Sequence, residues 1–422
     1  MPLVASAAGL PSSLLPIAGF ALIGLLLGCC TGLVPGLHVN NVALGLAAAA
    51  PALTARYPLR AVGAAMVAAA IAHSFLDVVP SVALGVPDGA MALSALPGHR
   101  LVLDGRGREA IAISAAGSLF ALVVGLALAV PLTSAVAAIY PALERRMALV
   151  LVAVAGYLVW TEGSAVEPVV PRLLAIATLA LSGALGWLVL DVAGGDGLLA
   201  PLFAGLFGVP LLASSVRGGG DLPPQPDAAI RMPRRRLAVH AAGGGVAGAL
   251  VGWLPGVSPA AASSVVQGAL PRSESEMDAA RAFVASVSGV NTSNAVYALL
   301  ALYAVGRERS GVAVALADVA PPTAGDVVVY LGVAAGAALL AYGATRFAGR
   351  WVFAAVDAVD YRFAGLAVLG LLAALSVATG GVLGMPVLLT SAAVGWLPHR
   401  TGVRRVHCMG CVLVPVALFY LG

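Results

Sequence analysis

The sequence predicts an all-α polytopic membrane protein built from two related halves. Of its 422 residues, 60% are apolar and only 10% are charged, whereas soluble domains carry about 25% charged residues. Long runs without any charged side chain alternate with short loops that contain arginine. This pattern excludes a disordered chain, a nucleic-acid-binding domain and an ordinary soluble enzyme.

The length of the charge-free runs sets the number of membrane segments. A span needs about 20 apolar residues, and the runs at 110–143, 237–271 and 363–399 are longer than that. Several runs therefore hold one bent span or two shorter segments. We expect roughly ten to thirteen membrane segments, some of them re-entrant hairpins, in a multi-pass protein of the cell (cytoplasmic) membrane.

The basic residues, all of them arginine, mark the ends of these runs. The most polar segment, residues 217–236, combines five arginines with glycine and proline, a composition that argues against regular structure and favours a cytoplasmic loop. It falls near the midpoint of the chain. We therefore predict a first half at residues 1–216, a linker at 217–236 and a second half at 237–422.

The two halves contain similar motifs, GCCTGLVPGL at residues 28–37 and GALVGWLPGV at 248–257. Proline ends the preceding helix, glycine permits the turn, and the next helix starts with unpaired N–H groups and the positive end of its dipole. Inside a membrane such a helix start needs a partner, and an anion is a natural one. Paired breaks predict an inverted repeat with a binding site where they meet. The alternative is that G-x-x-x-G is only a helix-packing face.

The four asparagines of the chain follow these breaks. Asn40 and Asn41 come directly after Pro35-Gly36, and Asn291 and Asn294 come 35 and 38 residues after Gly256. Buried amides in a membrane usually face a bundle interior or a cavity, where they can contact carboxylate oxygens or coordinate Na⁺. Hydrogen bonding between helices is the alternative. The predicted substrate-binding residues are Pro35, Gly36, His38, Asn40, Asn41, Pro255, Gly256, Ser258, Asn291, Ser293 and Asn294.

A third polar stretch, at residues 73–89, is punctuated by proline and glycine and predicts a hairpin that enters and leaves the membrane. Within it, Asp77 is the candidate for coupling to Na⁺ or H⁺, with a loop carboxylate at the interface as the alternative. We expect His73 to be a packing residue. Glu162 and Glu167 resemble interfacial loop residues.

The sequence indicates neither a catalytic centre nor a metal site. No Walker, G-x-S-x-G or H-E-x-x-H motif occurs, and no cofactor is expected beyond a coupling ion. The spacing of Cys408 and Cys411 fits C-x-x-C, but no second pair lies nearby, so small buried residues are the better interpretation. An intramembrane enzyme would need a nucleophile–base pair or a metal set, which the six scattered histidines do not supply.

Four stretches together resemble the TctA family, the large membrane subunit of tripartite tricarboxylate transporters, and in particular its shorter archaeal-type members. They are residues 24–41 (GLLLGCCTGLVPGLHVNN), 85–110 (GVPDGAMALSALPGHRLVLDGRGREA), 248–267 and 395–415 (GWLPHRTGVRRVHCMGCVLVP). The resemblance implies a two-half secondary transporter in which the Pro-Gly loops meet at the substrate. It also implies a small membrane subunit and an extracytoplasmic binding protein as partners.

The chain departs from the family pattern in its second half. The family tends to read P-E-x-A-N-N where this chain reads SGVNTSN at 288–294, and a charged loop, AVGRERSG at 304–311, replaces a further G-x-P-G.

The predicted function is a secondary transporter, not an enzyme, for a small anionic metabolite such as a di- or tricarboxylate, driven by an ion gradient. A translocase for a lipid-linked anion such as a polyprenyl phosphate is the alternative, because a helix-start site suits phosphate equally well. Membrane lipids and the anion are the expected partners, nucleic acid is not, and a homo-oligomer is compatible with the sequence.

Overall fold

A computed structural model describes residues 14–35, 37–83, 95–163, 167, 169–193, 195, 197–218, 223–226, 229–270, 275–356 and 361–421, and within them all regular structure is helical. The helices are, in chain order, α1 (Leu14–Leu33), α2 (Val39–Thr54), α3 (Leu59–Leu76), α4 (Val78–Ala83), α5 (Ala95–Leu103), α6 (Gly107–Glu144), α7 (Met147–Trp160), α8 (Val169–Trp187), α9 (Leu199–Phe203), α10 (Val209–Gly218), α11 (Arg234–Val251), α12 (Pro259–Ala269), α13 (Glu276–Val305), α14 (Gly311–Val319), α15 (Ala324–Val356), α16 (Tyr361–Thr401) and α17 (Gly410–Phe419). Short π-helical turns follow α8 and α9, and a 3₁₀ turn precedes α17.

Six helical stretches in this part of the chain are long and apolar enough to cross a membrane, and four shorter apolar helices accompany them. The six are Leu14–Leu33, Leu59–Ala83, Gly107–Glu144, Val169–Asp191, Ala324–Ala354 and Gly365–Thr401. The all-helical membrane fold is thereby confirmed. α16 is not one continuous helix, because at Gly381, which has a φ of 55° and a ψ of −135°, two helices meet at a kink.

Pro35 and the Pro255-Gly256 pair each lie in a non-helical segment between two helices. α1 ends at Leu33 and α2 begins at Val39, while α11 ends at Val251 and α12 begins at Pro259. Gly256 has a φ of +75°, a left-handed conformation that favours glycine. Gly36 lies outside the described residues.

Glycines bring two pairs of helices into backbone contact. Gly24 and Gly28 of α1 lie against Ala65 and Ala69 of α3, so these two helices run parallel. Any β-carbon at Gly28 would overlap the carbonyl oxygen of Ala69. The glycine motif is therefore a packing face in addition to preceding the helix break.

The second glycine motif is used in the same way. Gly244 and Gly248 of α11 lie against Ser286 and Val290 of α13, and those helices also run parallel. We call the end of the bundle where α11 begins with Arg234 the linker face. We call the opposite end the far face. There Arg307 forms a salt bridge of 2.7 Å with the carboxylate of Glu144.

A buried ion cluster fixes the linker face. The Glu109 side chain is fully buried and accepts hydrogen bonds from Arg106, from Arg281 at 3.1 Å and from the backbone N–H of Arg231 at 2.6 Å. It therefore joins α6, α13 and the segment before α11. Gln225 adds a second tie, because its side chain accepts from the N–H of Gly107 and donates to the carbonyl of Val102.

The structure describes only part of the hairpin predicted at residues 73–89. Residues 73–83 belong to a nearly continuous helical stretch over Leu59–Ala83, and residues 84–94 lie outside the described part, so the hairpin stays a prediction. Glu162 lies in the loop after α7, as expected, but it is buried there against Arg404 (2.8 Å) and His407 (2.7 Å). Burial disfavours its charge, yet hydrogen bonds from His407 and Arg404 hold the pKa of Glu162 below its ordinary value.

Candidate functional site

A cavity of about 790 Å³ is lined by residues from both halves of the chain. The first half contributes the start of α2 and the middle of α3, and the second half contributes α12, α13 and α14. Apolar side chains such as Phe203, Leu254 and Leu316 form much of the wall. This volume falls within the range of small-molecule binding sites.

Three helices begin at this cavity. His38, Ser258 and Ser310 are the N-cap residues of α2, α12 and α14, and all three line the wall. Each cap side chain accepts a hydrogen bond from a backbone N–H of the first turn, at 3.2 Å for His38 and 3.1 Å for the two serines. One cap satisfies one of the four N–H groups that a helix start leaves without an intrahelical acceptor. The positive ends of three helix dipoles therefore converge on one space.

All four asparagines lie at the same cavity. Asn40 and Asn41 are in the first turn of α2, and Asn291 and Asn294 lie one helical turn apart on α13. The amides offer donors for an anion and oxygens for a cation. Among the described residues that line the cavity, none is acidic.

The two histidines of this region lie together. The rings of His38 and His73 have centroids 5.1 Å apart, and both side chains line the cavity. Nδ1 of His73 is 3.0 Å from the hydroxyl of Thr31 on α1. His73, which the sequence suggested to be only a packing residue, therefore has both a packing contact and access to the cavity.

Asp77 lies directly behind the cavity wall. Its side chain is buried, and Nδ2 of Asn291 donates a 2.7 Å hydrogen bond to one carboxylate oxygen. Since Asn291 lines the cavity, one amide separates this carboxylate from the cavity interior. The interfacial-loop alternative for Asp77 is wrong for this reason.

Three predicted site residues do not line the cavity. Pro35 and Pro255 lie in the helix breaks themselves, and they set the direction of the chain but do not contact the cavity. Ser293 is fully buried and donates a 2.7 Å hydrogen bond to the carbonyl of Gly245, so it ties α13 to α11.

The structure adds a set of residues that sequence reasoning missed. Arg309, Ser310 and Gly311, in the loop before α14 and at its start, line the cavity. Gly311 lies against the amide of Asn40, since a β-carbon there would fall 2.6 Å from Nδ2. A serine directly before an apolar run is an N-cap signal that could have identified this helix start.

The cavity occupies the half of the bundle nearer the far face. Its α13 residues run from Asn291 to Leu299, in the second half of that helix, which begins at the linker face. Leu331 lies near the start of α15 and Val251 is the last residue of α11, again toward the far face.

Comparisons with known proteins identify the family of the chain. The family model of the tripartite tricarboxylate transporter TctA family matches residues 19–410, nearly the whole chain. An uncharacterized protein of Methanocaldococcus jannaschii is 28% identical over 316 residues, which are 70% of this chain and 71% of that protein. No solved structure matches the chain. The protein is thus a multi-pass membrane protein that belongs to the TctA family of tripartite tricarboxylate transporters.

Proposed function

We propose that the chain is the permease of a secondary transporter for a di- or tricarboxylate, driven by an ion gradient. The observation that carries this proposal is the meeting of three helix starts and four asparagine amides at one cavity without an acidic lining residue. Such a site attracts negative charge through dipoles and N–H donors. Family membership supports transport as the class of function.

We further propose that the two halves form an inverted repeat that alternates access to the cavity. In support, the α1–α3 and α11–α13 pairs are each parallel and each packed through glycines. The two pairs run in opposite directions, because Ser74 and Asp77 of α3 meet Thr292 and Asn291 of α13 in antiparallel order. Transporters of this architecture rock one repeat against the other around a central site.

The sidedness of the cavity gives the proposed starting state. The linker face carries Arg106, Arg281 and the cluster Arg234–Arg236, and basic residues are enriched in cytoplasmic loops. With the linker face in the cytoplasm, the cavity lies on the extracytoplasmic side. A substrate would enter from there, delivered in this proposal by an extracytoplasmic binding protein, with a small membrane subunit as a further partner.

A binding measurement tests the substrate class without either partner. The purified chain should bind citrate or succinate in isothermal titration, and geranylgeranyl phosphate serves as the probe for the lipid-anion alternative. Labelled carboxylate uptake into proteoliposomes under a Na⁺ or H⁺ gradient then tests transport. If only the phosphate lipid binds, the carboxylate assignment is wrong and the lipid alternative takes its place.

Asn294 provides the matched variant for this test. Asn294→Ala should raise the Kd for the carboxylate by about three- to tenfold, the cost of one lost hydrogen bond. Ser293→Ala is the control, because this neighbouring side chain is bonded to Gly245 and does not line the cavity. Equal affinities of the two variants would assign Asn294 to helix packing.

We propose that Asp77 couples transport to the ion. Asp77→Asn keeps the shape of the side chain but removes its charge, so uptake should lose its stimulation by the gradient while downhill exchange persists. Gradient-driven and exchange rates in the same vesicles measure this. The control is Asp318→Asn, a carboxylate on α14 that does not line the cavity. Unaltered gradient stimulation in Asp77→Asn would remove Asp77 from the coupling role.

A further inference from the structure

Arg309 is the one arginine among the described residues that line the cavity. It lies in the short segment between α13, which Gly306 caps with a left-handed φ of 63°, and α14, which Ser310 caps. Nε and Nη2 of its guanidinium are buried and make no hydrogen bond within the described part of the chain. Its Cζ lies 5.6 Å from the ring centroid of Tyr140.

Arg307, the neighbouring arginine of the same segment, already has a carboxylate partner. Arg307 contacts the carboxylate of Glu144 at 2.7 Å and is about half exposed. Arg309 has no acidic neighbour along the described cavity wall. Buried guanidinium N–H groups without an acceptor are costly, so the site gains most from a ligand that brings acceptor oxygens.

We propose that Arg309 is the specificity-determining residue of the cavity and that it pairs with one carboxylate of the transported anion. This inference rests on the proposed function and deepens it. Arg309 adjoins Ser310 at the start of α14, and Gly311 there lies against Asn40 at the start of α2, so guanidinium, amide and two helix starts form one subsite. A guanidinium can hold a carboxylate through two parallel hydrogen bonds, which favours a planar carboxylate over a neutral group.

The resulting selectivity is for ligands with two or more carboxylates. One carboxylate occupies the Arg309 subsite, and a second lies among the remaining helix starts and the amides of Asn291 and Asn294. The monoamide of a dicarboxylate loses one of these two interactions. Wild-type protein should therefore bind succinate at least about tenfold more tightly than succinamate, a ratio expected from one charge-assisted hydrogen bond.

The test compares Arg309→Gln, Arg309→Lys and the control Arg307→Gln by isothermal titration with succinate and succinamate. In Arg309→Gln we expect the Kd for succinate to rise at least about tenfold and the ratio between the two ligands to fall toward one. Arg309→Lys should retain part of the ratio, because it keeps the charge but loses the two-pronged geometry. Arg307→Gln should behave like the wild type.

The ratio between ligands does not depend on how much of a variant is folded, so a purely structural role of Arg309 on Tyr140 would leave it unchanged. An unchanged ratio in Arg309→Gln, with wild-type binding intact, would overturn this inference and leave the proposed function standing. Absence of succinate and citrate binding by both the wild type and Arg307→Gln would overturn the proposed function and this inference with it.

Discussion

Replacing Glu109 with glutamine is expected to destabilise the protein by about 3–5 kcal/mol, the cost of leaving buried charges without their partner. The Glu109 side chain is fully buried, and the side chains of Arg106 and Arg281 that contact it are less than 10% exposed. Glutamine keeps one acceptor oxygen but removes the negative charge that both guanidinium groups contact, although Arg281 keeps its 3.0 Å contact with Asp278.

Thermal denaturation of the detergent-solubilised protein, followed by tryptophan fluorescence, measures this effect. Trp253 is 1% exposed and should report the loss of the fold. The control is Glu276→Gln, since Glu276 pairs with Arg100 on the surface, where the side chains are 82% and 55% exposed. Such a surface pair contributes about 0–1 kcal/mol. If both variants melted together, the Glu109 cluster would not hold the linker face.

Substituting Gly28 with valine is expected to have a comparably large effect, by steric overlap. Its β-carbon would fall 2.3 Å from the carbonyl oxygen of Ala69, a backbone atom that can give way only if α1 and α3 separate. Overpacking costs about 1–3 kcal/mol where side chains can adjust, and we expect the upper end or more here. The fraction of monodisperse protein after heating, measured by size-exclusion chromatography, gives the size of the effect.

Two further glycines make this experiment specific. Gly19 lies on the same helix as Gly28 with nothing within 4 Å of a β-carbon, so Gly19→Val should be nearly neutral. Gly248→Val should be as damaging as Gly28→Val, because its β-carbon would overlap the carbonyl of Val290 in the corresponding helix pair. Similar losses at Gly28 and Gly248 would support the inverted repeat. Tolerance at Gly248 with loss at Gly28 would argue against equivalent packing in the two halves.

The sequence was sufficient for features that depend on local chemistry. Composition alone predicts a membrane-embedded helical bundle. The core of the bilayer holds no water, so each apolar segment must satisfy its own backbone N–H and C=O groups, as a helix does. A proline followed directly by glycine ends a helix more readily than a single proline, which α2 and α6 accommodate at Pro51 and Pro131, so the breaks after Leu33 and Val251 could be predicted. The asparagines could be predicted to lie at a cavity, because a side-chain amide inside the membrane needs hydrogen-bonding partners.

Other features depend on which helix faces which, and pattern reasoning cannot supply that. Ser293 and Asn294 are adjacent on α13, yet one bonds to Gly245 and the other lines the cavity. Their roles differ because successive side chains point in different directions around the helix axis. Similarly, the burial of the loop residue Glu162 could not be predicted, because its partners Arg404 and His407 lie more than 240 positions away in the chain.

The sequence by itself therefore determined the class of fold, the two helix breaks and the polar residue types available for a site. Only the tertiary structure decided that a third helix start, with Arg309 beside it, joins the two predicted ones, and that Asn291 connects Asp77 to the cavity. The physical reason is that helix ends and backbone breaks follow from short-range sterics and hydrogen bonding, which neighbouring residues dictate. The convergence of distant charges and dipoles depends on packing between helices, which places Asp77 beside Asn291, 214 positions further along the chain.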